Sequence, residues 1–179
     1  MTVGGVNNTK LGRVMASLEQ EVGKLLRQQG LTLGVIESAT GGLVSHLITN
    51  VPGSSAYYKG SVTAYSNEIK VKVVGVKEDI INQFGAVSYQ VVEEMAACGR
   101  RVLAADICLA DTGIAGPSGA APEKPVGLFY LGLSYQGGIY SQKHIFPGNR
   151  EQNKRCAVKA ALNWLKEYLV SQMREGDFR

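Results

Sequence analysis

Apolar and polar positions recur with two different periods along this chain, and the changes of period mark out its elements. Leu11, Val14, Met15, Leu18, Val22, Leu25 and Leu26 follow spacings of three and four, which places them on one face of a helix that Gly30 stops. Residues 31–37 form a short apolar run, read as a buried strand that empties into Ser38-Ala39-Thr40-Gly41-Gly42. Leu43, Val44, Leu47 and Ile48 mark a second helix ending near Asn50 and Pro52. Residues 61–66 alternate as a strand does, whereas the alternating Lys and Val of 67–74 fit helix and strand equally. Ser88 stands as the N-cap of a long helix reaching about Ala104, with Val91, Val92, Met95, Val102 and Leu103 inward.

Residues 106–111 read as a strand opening into a loop rich in glycine and proline, 112–125. Two further strands, 127–135 and 139–146, flank Gln136-Gly137-Gly138 as a hairpin. A last helix over about 150–173 carries Ala157, Ala160, Ala161, Trp164, Leu165 and Leu169 on one face. Helices alternating with strands and followed by a hairpin predict an α/β fold, a three-layer α/β/α arrangement around a mixed, mostly parallel sheet. No repeat or linker breaks the pattern, so residues 1–179 are expected to form a single domain with 1–10 and 172–179 as loose tails.

Composition narrows the function classes. No apolar run approaches the roughly 18 residues that span a bilayer, and residues 1–10 hold no signal-peptide core, so a cytoplasmic protein without a membrane partner is expected. Cys98, Cys108 and Cys156 are far apart, form no C-x-x-C pair and are expected to be reduced core or near-core residues. With only His46 and His144, no histidine-rich metal site is expected. The net charge of +4 suits an anionic partner, a nucleic acid or a phosphorylated metabolite. Its basic residues are scattered and not interleaved with aromatics, which argues against a nucleic-acid groove.

Candidate chemistry gathers after two of the predicted strands, at Glu37-Ser38-Ala39-Thr40-Gly41-Gly42 and at Thr112-Gly113-Ile114-Ala115-Gly116-Pro117. Ligands of open α/β sheets bind beyond the carboxyl ends of strands, although tight turns need glycine for conformational reasons alone. Ser38 sits where a strand turns into a helix, as the serine of a nucleophile elbow does, but G-x-S-x-G is missing. A serine needs a base. His46 lies two helical turns on and His144 in mid-strand, and both suit packing or surface positions better. A lysine whose amine is neutral near pH 7 is the alternative, and composition does not choose among the nineteen Lys and Arg residues.

These segments resemble a known family. Glu37-Ser38-Ala39-Thr40-Gly41-Gly42 resembles E-S-C-T-G-G, and Val51-Pro52-Gly53-Ser54-Ser55-Ala56-Tyr57-Tyr58 resembles V-P-G-S-S-A-Y-F. Tyr65-Ser66-Asn67-Glu68-Ile69-Lys70 is similar to Y-S-N-E-A-K, and Phe84-Gly85-Ala86-Val87-Ser88 to H-G-A-V-S. Thr112-Gly113-Ile114-Ala115-Gly116-Pro117 with Pro122-Glu123-Lys124-Pro125-Val126-Gly127 resembles T-G-I-A-G-P…P-E-K-P-V-G, and Phe146-Pro147-Gly148-Asn149-Arg150 resembles F-P-G-D-R. These blocks, in matching order, are those of the CinA C-terminal domain, also found alone as nicotinamide mononucleotide (NMN) deamidase.

The resemblance implies an anticodon-binding-like α/β/α fold and hydrolysis of the NMN carboxamide to nicotinic acid mononucleotide and ammonia, with no metal or organic cofactor. It makes Ser38 the nucleophile, Lys70 the general base and Tyr65 a neighbour that orients the proton or shuttles it. Thr40, Gly41 and Gly42 would offer N–H groups and a hydroxyl to the reacting carbonyl or the phosphate, with Thr112 and Gly113 on the opposite wall. Arg150 would meet the phosphate, for which a guanidinium fork is suited. CinA's larger N-terminal nucleotide-processing domain is not expected, since ten residues precede the first predicted helix. The expected partner is a small-molecule nucleotide, and a homo-oligomer, dimer or higher, is expected.

Three positions depart from the family pattern: Ala39 for Cys, Asp111 for a small apolar residue, and Asn149 for Asp. The alternative they raise is a catalytically silent nucleotide-binding module of the same family.

Overall fold

The computed structural model describes residues 16–176. Leu11, Val14 and Met15 of the first predicted helix, and the expected tail at 1–10, lie outside the described residues. The elements in chain order are α1 (Leu18–Gln29), β1 (Leu33–Glu37), α2 (Leu43–Thr49), a 3-10 turn (Ser54–Ala56) and β2 (Tyr58–Thr63). Then come α3 (Asn67–Ile69), which runs straight into a π-helical turn (Lys70–Val74), α4 (Glu78–Phe84) and α5 (Tyr89–Val102). β3 (Ile107–Gly113), β4 (Leu128–Tyr135), β5 (Gly138–Ile145) and α6 (Arg150–Gly176) complete the chain.

The five strands form one mixed sheet in the order β2-β1-β3-β4-β5. β1 pairs in parallel with both β2 and β3, while β4 runs antiparallel between β3 and β5. Four strands therefore point one way and β4 the other, although the four pairings divide evenly between the two kinds. β1 is buried at all five positions, as a central strand covered on both faces must be.

Period-2 alternation sends the strand residues into two cores. Leu33 and Val35 of β1, Ile107 and Leu109 of β3, and Leu131 and Leu133 of β4 meet α1, α2 and α6 on one face. Ile36, Cys108, Ala110, Leu128 and Tyr130 meet α5, α4 and the π-helical turn on the other. α5 lies close on the sheet: a Cβ on Gly99 would stand 2.2 Å from Ile36 Cγ1 and 2.8 Å from Cys108 Sγ. Among the described residues no helix is long and apolar enough to cross a membrane.

The sequence pattern misplaces several boundaries. The strand expected at 61–66 is Tyr58–Thr63, because the chain leaves the sheet at Ala64 and Ser66 caps α3 instead, accepting from Ile69 N–H at 3.2 Å. Residues 67–74 are helical. α4 was not foreseen, and the final helix continues through Gly176 into the stretch expected to be a loose tail. Cys98 and Cys108 are buried, but Cys156 is exposed, since it falls on the outer face of α6 between the buried Asn153 and Ala157.

Gly99→Ala sets two effects against each other. Alanine gains about 1 kcal/mol in helix propensity, whereas forcing a methyl into a filled core typically costs about 1–3 kcal/mol. At 2.2 Å from a side chain in the sheet, the steric cost wins. The variant should show a lower urea midpoint than wild type with the same m-value, and an unchanged or raised midpoint would refute the close packing of α5.

Candidate active site

The three parallel strands end side by side. The chain steps from β1 to β2 on one flank and returns to β3 on the other, so a crevice opens at the carboxyl end of β1, the position where open α/β sheets bind ligands. Ser38 is the first residue beyond β1 and is only 8% exposed.

Two buried carboxyl groups organise the turn around it. Glu37 accepts from Thr40 Oγ1 at 2.7 Å, from the N–H groups of Gly42, Val44 and Ser45 at 2.9, 3.0 and 2.9 Å, and from Ser45 Oγ at 2.6 Å. It thereby closes the start of α2. Asp111, near the end of β3, accepts from Ser38 N–H at 3.2 Å and Thr40 N–H at 3.0 Å, and its Oδ2 also contacts Thr40 Oγ1. Thr40 thus stands between two carboxyl oxygens with one hydroxyl proton. The hydroxyl can donate to only one of them at a time, so both contacts are hydrogen bonds together only when one of the two carboxyl groups carries a proton and donates to Thr40 Oγ1. Burial pushes the Asp111 carboxyl up to about 6; the Thr40 hydrogen bonds oppose the rise and the Glu37 charge adds to it.

Lys70 comes from the π-helical turn, a distortion that often marks functional sites. It is 2% exposed, and its Nζ lies 3.0 Å from Ser38 Oγ and donates to Ala64 O at 2.9 Å. Burial lowers its pKa, against an opposing pull from the Asp111 charge. The structure therefore joins a buried serine hydroxyl to an amine whose burial favours its neutral form. No histidine approaches Ser38: His46 is exposed and bonded to Asn50, and His144 is bonded to Gln142 on β5.

The other sequence-predicted residues fall into two groups. Tyr65 is 63% exposed, and its hydroxyl accepts from Arg150 Nη2 at 2.8 Å and makes no hydrogen bond with Lys70. Arg150 also donates through Nη1 to Gly116 O at 2.8 Å, so it ties Tyr65 to the loop after β3. Thr112 is buried and turned away, donating to Ala86 O at 2.8 Å. Gly113 pairs with Phe129, and a Cβ there would meet Leu128 O at 2.7 Å, so its lack of a side chain serves the sheet. In the serine turn, the N–H groups of Ser38, Thr40 and Gly42 go to the carboxyl groups, which leaves Ala39 and Gly41 as the turn's free N–H donors among the described residues.

Sequence reasoning passed over three contributors. Glu37 appeared only as a motif letter, and the contacts that explain it lie in the turn that follows, from Thr40 to Ser45. Asn153 is fully buried and its side-chain amide bonds Gly148 N–H and O and Ala115 O, which fastens the loop before α6 to the one after β3. Lys154 is half-buried beside Gly41. The readable signal was spacing, since 150, 153, 154 and 157 share one face of a helix.

Comparison with known proteins places these features in a group. Residues 15–169 match the family model of the CinA C-terminal domain. A putative competence-damage inducible protein of Halothermothrix orenii is 48% identical over 88% of this chain, and a CinA-like protein of Thermotoga neapolitana is 41% identical over 95% of it. The chain spans about two fifths of the length of these curated relatives, 38% and 40% respectively. A CinA superfamily protein of Klebsiella pneumoniae has a crystal structure that superposes with a TM-score of 0.83 at 30% identity, covering 86% of this chain and 96% of that one. The competence/damage inducible protein of Agrobacterium tumefaciens gives 0.78 at 31% identity, covering 84% and 94%.

The raised pKa of Asp111 makes stability depend on pH. Between the ordinary value of 3.8 and about 6 the folded protein holds a proton that the unfolded chain has released. The resulting contribution is full below about pH 4 and is lost as pH rises through about 6, an amount of roughly 3 kcal/mol. Asn in the same place is neutral at every pH. The stability of Asp111→Asn relative to wild type should therefore improve by an amount of that order between pH 4 and pH 7.5 in urea unfolding. A difference that stays constant over this range would show that Asp111 titrates normally.

Proposed function

The chain belongs to the CinA family, and from that premise we propose that it is an amidohydrolase that hydrolyses the carboxamide of nicotinamide mononucleotide to nicotinic acid mononucleotide and ammonia. The observation that carries this reading is the 3.0 Å contact between Lys70 Nζ and Ser38 Oγ, made inside the protein by a lysine whose burial favours the neutral amine.

In this reading the neutral amine keeps one N–H on Ala64 O, which turns its lone pair toward the Ser38 hydroxyl. Ser38 Oγ attacks the carboxamide carbon as its proton passes to Lys70. The oxyanion meets the free N–H group of Ala39, the residue after the nucleophile; a donor of this kind is typically worth about 3–4 kcal/mol in the transition state. Lys70 returns the proton to the leaving nitrogen, the C–N bond breaks and ammonia departs. Water, deprotonated by Lys70, then cleaves the acyl-serine ester and releases the acid. Arg150 and Tyr65, hydrogen-bonded at the mouth, bound the entrance. Ala39 lines the turn with a methyl group and takes no part in proton transfer.

Ammonia release from NMN tests the reading. Ser38→Ala should abolish release while calorimetric binding of NMN persists; binding by wild type without ammonia release would instead favour the silent nucleotide-binding module. Lys70→Met should lose about 10²–10⁴-fold in kcat/KM and, with it, the limb of activity that rises with pH. Because the Asp111 charge favours protonated Lys70, Asp111→Asn should move that limb to lower pH in wild-type-like folded protein. A rising limb retained unchanged by Lys70→Met would rule out Lys70 as the base.

A further inference from the structure

The first two turns of α6 carry three cations, and they are differently engaged. Arg155 is paired with Glu151 at 2.8 Å, which cancels both charges. Arg150 spends its two terminal nitrogens on neutral acceptors, Gly116 O and Tyr65 OH. Lys154, one turn after Arg150, is half-buried, and among the described residues its ammonium meets no hydrogen-bond acceptor and no carboxylate. Its Nζ lies 3.2 Å from where a Cβ on Gly41 would stand, so the charge is folded down over the serine turn. A lysine on a solvated helix face normally extends into water, because desolvating an ammonium without a partner is unfavourable.

The surface under that ammonium is prepared for an anion. Gly41 holds a φ of +64°, presents no side chain, and has an N–H that nothing among the described residues accepts. A groove of about 360 Å³, lined by Leu43, Arg150, Glu151, Lys154 and Arg155, runs from the start of α2 along α6. Its size lies within the usual range for small-molecule sites. Gly41 is three residues from Ser38, so the ammonium sits over backbone no more than roughly 11 Å along the chain from the nucleophile. An amide substrate held at Ser38 can therefore carry its anionic end under Lys154.

We propose that Lys154 seats the phosphate monoester of the substrate, together with the Gly41 N–H beneath it, and so makes the site prefer phosphorylated over unphosphorylated nicotinamide amides. The phosphate takes a charge-assisted hydrogen bond from the ammonium and one from the backbone, while Arg150 supplies long-range attraction from one turn away. This rests on the hydrolase reading for its substrate and deepens it by assigning the phosphate contact to Lys154, where sequence resemblance pointed to Arg150.

The test compares NMN with nicotinamide riboside, which lacks only the phosphate, in wild type, Lys154→Met and Lys154→Arg. Losing a hydrogen bond to a charged group should lower the preference for NMN, measured as the ratio of the two kcat/KM values, by about 10–100-fold in Lys154→Met, mainly through KM. Lys154→Arg should restore most of it. Inorganic phosphate should compete with NMN in wild type and more weakly in Lys154→Met. An equal loss on both amides, or an NMN preference unchanged in Lys154→Met, would overturn the seat. Calorimetric binding of the two compounds to the same three proteins separates the two ideas: a phosphate-dependent loss of binding in Lys154→Met without ammonia release from wild type would keep the seat and overturn the hydrolase reading.

Discussion

A buried carboxylate must be surrounded by donors, and Glu37 finds five of them in the residues that follow its own strand. Much else in the site depends on that requirement. The side chain at the end of β1 pulls the chain back on itself, fixes where α2 begins and leaves Ser38 facing the crevice. Asp111 does the same from the neighbouring strand. Ile36 and Ala110 are register partners, and each carboxyl group stands one residue further on, so the two emerge together at the sheet's edge. Thr40 is clamped between them, its hydroxyl within hydrogen-bond distance of both carboxyl groups.

The lysine is prepared by a different device. A regular helix following Ser66 would close its turns with four-residue spacing; the π-helical turn at Lys70–Val74 widens the coil and is closed by Gly75 at a φ of +88°. With Val74 and Val76 buried behind it, the turn presents its first residue inward. A long aliphatic stem crosses the apolar layer and delivers its nitrogen to two oxygens, one of the backbone and one of Ser38. Burial, which makes an isolated ammonium unfavourable, lowers the pKa of this amine against the opposing pull of the Asp111 charge.

Much of this architecture was legible in the pattern of side chains. The long amphipathic helices α5 and α6, the apolar runs of β1 and β3 and the Gly137-Gly138 hairpin are dictated by local sequence. α4 was hidden because a seven-residue helix with a single buried residue, Ile81, carries almost no periodic signal. β2 was displaced by three residues because the alternation it shows is continued by Ala64 past the last paired residue, Thr63. The site was less legible still. Ser38 announced itself by its place after a strand, but Lys70 could be chosen among the basic residues only through family resemblance. Asp111 looked like an oddity until its acceptor role became visible across 73 residues of chain. Lys154 looked like any solvated helix residue, since a side chain's direction is set by tertiary contacts.

The two halves of the Ser38–Lys70 contact belong to different layers. α2, which Ser38 precedes, packs into the core shared with α1 and α6, whereas the turn bearing Lys70 packs into the core shared with α4 and α5. The bond between them is a stitch passed around the carboxyl end of β1, joining the two layers outside the strands beside the Arg150–Tyr65 hydrogen bond. The separation of those two atoms is therefore set by how the two cores are seated on the sheet, so residues far from Ser38 and Lys70 hold the distance between them.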